Sequence, residues 1–275
     1  MSSPMPESSV GPPHTYKGIP LYKWTRSWTA WDTHFTKVRQ RGRDAGNDEL
    51  EDFVPENVQI RGSDCFLVLE KRATGYASGK IRSIRNLTEM CPNGGVLEVV
   101  AQGPNPRAMG EWPAIWLLGP GPWPQGAEID AMEAMFFRGD EHEAFSTLHF
   151  GRPGHDFIHP GKWGLHLGTY PWDGGDHRLR FEWRRSNGNA SGWDCSLDVD
   201  GRRIWSFNTR RLPADEPGFR EGEEGCARAI FERAFEDPRH GLSLICNLSY
   251  GGRPFRHVGD VKIADFVTRR VRVAP

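Results

Sequence analysis

Glu128-Ile129-Asp130-Ala131-Met132-Glu133 places three acids within six residues, and the local structure of this stretch decides what they can do. By propensity the surrounding residues 127–135 read as helix, because Ala, Met and Glu are good helix formers. Asp130 and Glu133 would then share a solvated helix face, an ordinary and functionless arrangement. Read as a strand, Glu128 and Asp130 point to one face, and Glu133, at an odd offset, to the other. A bulge between Asp130 and Glu133 adds one residue and brings all three carboxyls to one side. Two carboxyl groups of opposed protonation state facing one bond are what cleavage of a sugar linkage requires. One attacks or stabilises the sugar cation, and the other protonates the leaving oxygen.

The flanking residues favour the bulged strand. Gly110 to Leu118 (containing Trp112-Pro113-Ala114-Ile115-Trp116), Trp123-Pro124 and Gly126 to Glu133 together resemble the core signature of glycoside hydrolase family 16. The longer form of its acidic motif, Glu-x-Asp-x-x-Glu, is the one present, as on the laminarinase, agarase and carrageenase side of that family. Asn47 to Leu50, Asn57-Val58 and Tyr76 to Ile81 resemble its opening strands, and Ser146 to His149 its His-bearing strand. Asp198 to Gly201 is similar to its Val-Asp-Gly hairpin, Leu244 to Gly252 to its Asn-bearing strand, and Ala264 to Val267 to its final strand. The resemblance runs over roughly residues 20–275 in the family's order. It implies an all-β jelly-roll sandwich of two antiparallel sheets with a concave substrate cleft.

Composition agrees with that class. A chain of 275 residues and 31.1 kDa suits one large β domain or two small ones, and 32 Gly and 21 Pro spread along it favour short strands joined by turns. The expected organisation is a disordered Ser/Pro-rich tail over residues 1–15 and a single domain over 16–275. Cys65 to Leu69, Gly95 to Ala101 and Ile115 to Leu118 read as buried strands, and His177 to Trp183 alternates like a strand wet on one face. Ser196 to Phe207 reads as a hairpin turning at Asp200-Gly201. One helix is expected, over Glu221 to Asp237, with an inserted segment from Pro213 to Gly225.

Net charge −1 and a pI near 6.8 disfavour nucleic acid or an anionic membrane as partner. Five cysteines without a CxxC pair read as buried thiols rather than a disulfide framework or zinc site. The N-terminal residues lack the pattern of a secretory signal, and no apolar run approaches membrane-spanning length. A monomer with a polysaccharide partner is expected, and the compartment is left open.

Carried over residue by residue, the resemblance implies Glu128 as nucleophile, Asp130 as its orienting neighbour and Glu133 as general acid/base. Trp112 and Trp116 would stack on sugar rings, and His149 would sit near the nucleophile. Trp123, Asn57, Asn247 and Tyr250 are further candidates for the cleft, with Trp163 and Trp172 in a segment that can form its wall. Three positions depart from the family pattern. Val100 stands where an Arg reaching the sugar is usual, Ala131 where a larger apolar residue is usual, and Phe53 where Tyr is frequent. No catalytic cofactor or metal is implied. The family leaves room for a structural calcium, with Asp265 a candidate ligand. The implied reaction is endo-acting, retaining hydrolysis of a β-linked glucan, with transglycosylation or non-catalytic glucan binding as alternatives.

Overall fold

The structure is a computed structural model that describes residues 14–16, 19–21, 34–44, 46–61, 64–104, 109–136, 142–152, 155–156, 158–159, 162–187, 192–212, 227–255 and 263–274. Two large sheets dominate it. The seven-stranded sheet runs, in spatial order, Leu165–Pro171, Glu143–His149, Glu128–Glu133, Glu111–Leu118, Ser243–Tyr250, Lys80–Ser83 and Phe35–Lys37, every pair antiparallel. The ten-stranded sheet runs Arg202–Asn208, Trp193–Val199, Asp176–Arg185, Gly94–Gln102, Ile263–Ala274, Asp64–Arg72, Gly75–Ser78, Glu51–Phe53 and Gln40–Arg41, with Val58–Arg61 added on Asp64–Arg72. Its pair Glu51–Phe53 and Gly75–Ser78 is parallel. Strands adjacent in space are mostly distant in sequence, as in a jelly roll.

Period-2 patterning explains why the sheets face each other. Along Asp176–Arg185, Leu179, Phe181 and Trp183 are buried, Arg180 and Glu182 between them are half-buried, and the flanking Arg178 and Arg184 are exposed. The opposite sheet contributes Ile115, Leu117, Ile129, Met132, Leu148, Leu244, Cys246 and Leu248 to the same core. At roughly 1.5–3 kcal/mol for each fully buried large apolar side chain, this layer is the main source of stability.

The helix Ala227–Glu236 closes one end, burying Ala227, Ile230, Phe231, Ala234 and Phe235. Phe231 meets Phe150 and Phe207, and Phe235 meets Phe181 and Trp193. The expected residues 221–226 of this helix and the insertion 213–225 lie outside the described residues. A single helical turn, Leu87–Met90, was not anticipated; Asn86 and Glu89 close a capping box around it. His14–Tyr16 pairs with Ile19–Leu21.

Candidate active site

The strand Glu128–Glu133 is bulged. Toward Glu111–Leu118, Ile115 pairs with Met132 and Trp116 with Asp130, which leaves Ala131 without a partner. Toward Glu143–His149, Asp130 pairs with Thr147 and Glu133 with Phe145, a three-residue step against a two-residue one. The extra residue is the one that parity required. Ile129, Ala131 and Met132 go to the core, and Glu128, Asp130 and Glu133 turn to the other face. The register then lays Glu133, Ala114, Asn247 and Lys80 in one row across the sheet. Asp130, Trp116, Ile245 and Arg82 form the next row, with Glu128 opposite His149 beyond it.

Ion-pair contacts and hydrogen bonds tie the acids to their surroundings. His149 Nε2 lies 3.0 Å from Asp130 Oδ2 and 3.9 Å from Glu128 Oε1, bridging the two. Trp123 Nε1 donates to Glu128 Oε2 at 3.2 Å, and its ring lies 5.6 Å from that of His149. Trp123 is 43% exposed, an open aromatic face beside Glu128. Trp112 Nε1 donates to Glu133 Oε1 at 2.9 Å, and only 9% of Trp112 is exposed.

Burial, reinforced by the Asp130 and Glu128 carboxylates, pushes the Glu133 carboxyl well above its ordinary range, against the pull of His149 and the Trp112 indole. These surroundings favour the protonated form of Glu133. The loop delivering Glu128 is tight: a Cβ on Gly119 would fall 1.7 Å from the Gly126 carbonyl oxygen. Ala127, next to Glu128, sits at φ 66°, an uncommon left-handed conformation for a residue with a side chain. Ligand atoms of Glu128, Asp130 and His149 lie within 4.8 Å of one another, close enough to hold a cation, which would compete with a sugar for Glu128.

The Glu128-to-Glu133 strand within this sandwich can be set beside known proteins. No protein-family model matches the chain. Its structure superposes on an endo-1,3-β-glucanase from Streptomyces sioyaensis with a TM-score of 0.63 and 19% identity, over 100% of both chains. It superposes on the catalytic domain LamAcat from Zobellia galactanivorans with a TM-score of 0.61 and 18% identity, over 89% of this chain and 92% of that one. The fold is that of the laminarinases. In sequence the chain is 34% identical over 110 residues to a β-glucanase from Rhodothermus marinus. That match takes in 36% of this chain and 37% of the relative's length.

Within this laminarinase-type fold, Trp112, Trp116, Trp123, His149 and Asn247 gather around the three acids. Trp116 Nε1 donates to Asn247 Oδ1 at 2.6 Å. Four expectations need correction. Tyr250 is fully buried, its ring 4.6 Å from that of Tyr76, because its even offset from Leu248 turns it to the core. Asn57 is also buried. It donates to the carbonyls of Val68 and Ala77 at 2.9 and 3.2 Å and accepts from Arg72, so it fastens strands together. Trp172 lies in the core, stacked on His177 at 4.5 Å, rather than in a cleft wall. Val100 belongs to the ten-stranded sheet, on the face opposite the core residues Leu97, Val99 and Ala101, so its departure from Arg does not alter the site. The side chains of Trp163 and Asp265 lie outside the described residues. Ala131, small where bulk is usual, lines a small apolar cavity with Leu97, Val99, Ile115, Phe181 and Leu244.

Sequence reasoning missed a second charged cluster on the same face. Lys80 Nζ lies 4.9 Å from the Phe53 ring centroid and 5.3 Å from that of Trp116, and donates to Gln40 Oε1 at 3.0 Å. Burial pulls Lys80 down to about 8, against the attraction of Glu49, Glu51 and Glu128. Burial pushes Glu51 up to about 8, against bonds from the Tyr250 N–H and the Ser249 hydroxyl. Asn247 Nδ2 donates to Ser249 Oγ at 2.9 Å, so a polar chain runs from Trp116 to Glu51. No local signal marked this cluster: the strand Lys80–Ser83 is mostly polar, and Phe53 and Trp116 reach Lys80 from other strands.

Proposed function

We propose that the protein is a retaining, endo-acting β-glucan hydrolase whose substrate is β-1,3-glucan or mixed-linkage β-1,3-1,4-glucan. The observation that carries this reading is the bulge, which sets Glu133, with its proton held by burial, on the same face as Glu128 and Asp130. In the first half-reaction Glu133 gives its proton to the leaving glycosidic oxygen while Glu128 attacks the anomeric carbon and forms a glycosyl-enzyme ester. In the second, Glu133 takes a proton from water, which displaces Glu128 and restores the starting anomer. Asp130 and His149 hold Glu128 in place. Trp123 and Trp116 offer aromatic faces beside the scissile bond. The likeness to laminarinases and a β-glucanase supports a β-glucan over a galactan.

Purified protein tested on laminarin, lichenan, agarose and carrageenan should cleave the glucans, and proton NMR of the first product should show the β-anomer. The carboxyl groups of Glu128 and Glu133 should accordingly lie about 5–5.5 Å apart, the spacing of retaining enzymes. Initial release of the α-anomer, or inertness toward every glucan, would sink the assignment. Products longer than the substrate would instead mark a transglycosylase.

A further inference from the structure

The bulge that creates the site has a fastening of its own behind it. Tyr170, buried on the edge strand Leu165–Pro171, donates its hydroxyl to the Ala131 carbonyl at 2.6 Å. Ser146 Oγ, fully buried, donates to the Asp130 carbonyl at 2.5 Å and in turn accepts from Trp205 Nε1 at 2.9 Å. Trp205 comes from the ten-stranded sheet, so the chain Trp205–Ser146–Asp130 links the two layers at this point. The two carbonyls are consecutive, and Ala131 is the residue that pairs with neither neighbouring strand.

A bulge interrupts the ladder, and a buried carbonyl left without a donor is costly, so the extra residue persists where side chains supply the missing bonds. For packing alone, Phe at 170 and Ala at 146 would serve an apolar core as well. The hydroxyls are what the bulge uses. A regular register would send Glu133 toward the core.

We propose that Tyr170 and Ser146 are positioning residues that lock the Asp130–Ala131 bulge and thereby fix the side of the sheet on which the Glu133 carboxyl lies. This rests on the hydrolase reading for its kinetic consequence. Glu133 faces Glu128 and Asp130 on its own strand, His149 from the adjacent strand and the Trp112 indole, with Tyr170 behind. If the lock loosens, the carboxyl leaves Asp130, Glu128, His149 and Trp112, and its affinity for a proton shifts with the change of neighbours.

The test uses Tyr170→Phe and Ser146→Ala in the full chain, with two readouts. Kinetics on laminarin should show kcat reduced by about 10- to 100-fold with KM little changed, the scale expected of an angstrom-level misplacement. The alkaline limb of kcat/KM should shift from its wild-type position. Independently of activity, a carbon-13 NMR titration of the Glu133 carboxyl, assigned by its absence in Glu133→Gln, should give a midpoint displaced from the wild-type value in both variants. A merely structural role lowers the melting temperature and leaves that midpoint alone. Wild-type titration of Glu133 in folded Tyr170→Phe would overturn the proposal. If Tyr170→Phe does not fold, wild-type titration in Ser146→Ala would overturn it equally. If the wild type cleaves no glucan, the hydrolase reading fails, and the titration alone decides the lock.

Discussion

Two groups of buried charge, joined by the row from Glu133 through Ala114 and Asn247 to Lys80, behave in opposite ways. Around Glu128, Asp130 and Glu133 the negative charges outnumber the positive, with His149 the basic side chain between them. Burial and crowding there raise the affinity of Glu133 for a proton. Around Lys80, the acids Glu49 and Glu51 face an ammonium held against two aromatic rings. The first arrangement sets like charges apart in protonation state, which is what acid/base catalysis needs. The second is an internal support, linked through Ser249 and Asn247 to the Trp116 ring. Burial alone does not make a site reactive; the sign of the neighbours does.

The largest effect should come from breaking the first group. Glu128→Gln and Glu133→Gln should each lower turnover by at least the roughly 10²–10⁴-fold of acid/base catalysis, with thermal unfolding little changed. Azide should partly restore a Glu128→Ala variant with inversion of the product. Near-wild-type rates in either Gln variant would remove the distinction between the two groups.

The tryptophans separate binding from protonation. Trp123→Ala should weaken substrate binding by about 1–3 kcal/mol, a figure borrowed from aromatic stacking on nucleic-acid bases, and should appear in KM. Trp112→Phe removes the donor that lowers the proton affinity of Glu133. Its alkaline limb should therefore move to higher pH, with KM little changed. Equal effects on KM from both would show that Trp112 is an open platform after all.

The second group should be visible in stability. Glu51 has its affinity raised from 4.5 to about 8 on folding, so its contribution is fully present below pH 4.5 and is lost as pH rises through about 8. Lys80 is lowered from 10.5 to about 8, so between about pH 8 and 10.5 rising pH favours the folded state. Denaturant unfolding against pH should dip near 8, and Glu51→Gln should flatten the acid side of that dip. A profile unchanged by Glu51→Gln would mean that the buried pair titrates otherwise.

The smallest effect should be that of Tyr250→Phe. Its ring lies in the core, so KM should stay within about twofold of wild type while stability shifts by no more than about 1 kcal/mol. A large rise in KM would return Tyr250 to the cleft.

Particular residues show how far the sequence could be read. Alternation along His177 to Trp183 and the Asp200-Gly201 turn were legible because both are local, and the structure has them as a strand and a hairpin, the latter with a register shift at Leu197/Asp198. His149 and Asn247 were found through motif resemblance, and their strand partners place them on the face of Asp130 and Glu133. Tyr250 and Asn57 failed because each belongs to a segment that borders the cleft, while its own side chain turns elsewhere. Lys80 escaped because nothing near it in sequence reveals Phe53 or Trp116 beside it.

By itself the sequence determined the strand character of the chain and the need for one extra residue between Asp130 and Glu133, because side-chain parity in a strand is a matter of counting. Tertiary structure decided the rest: which tryptophan lies open and which is sunk against Glu133, and which lysine joins the cleft floor. It also supplied Tyr170, Ser146 and Trp205 to the bulge from three other strands. Exposure, proton affinity and carbonyl pairing depend on atoms that the fold brings from far along the chain, and no local spacing encodes them.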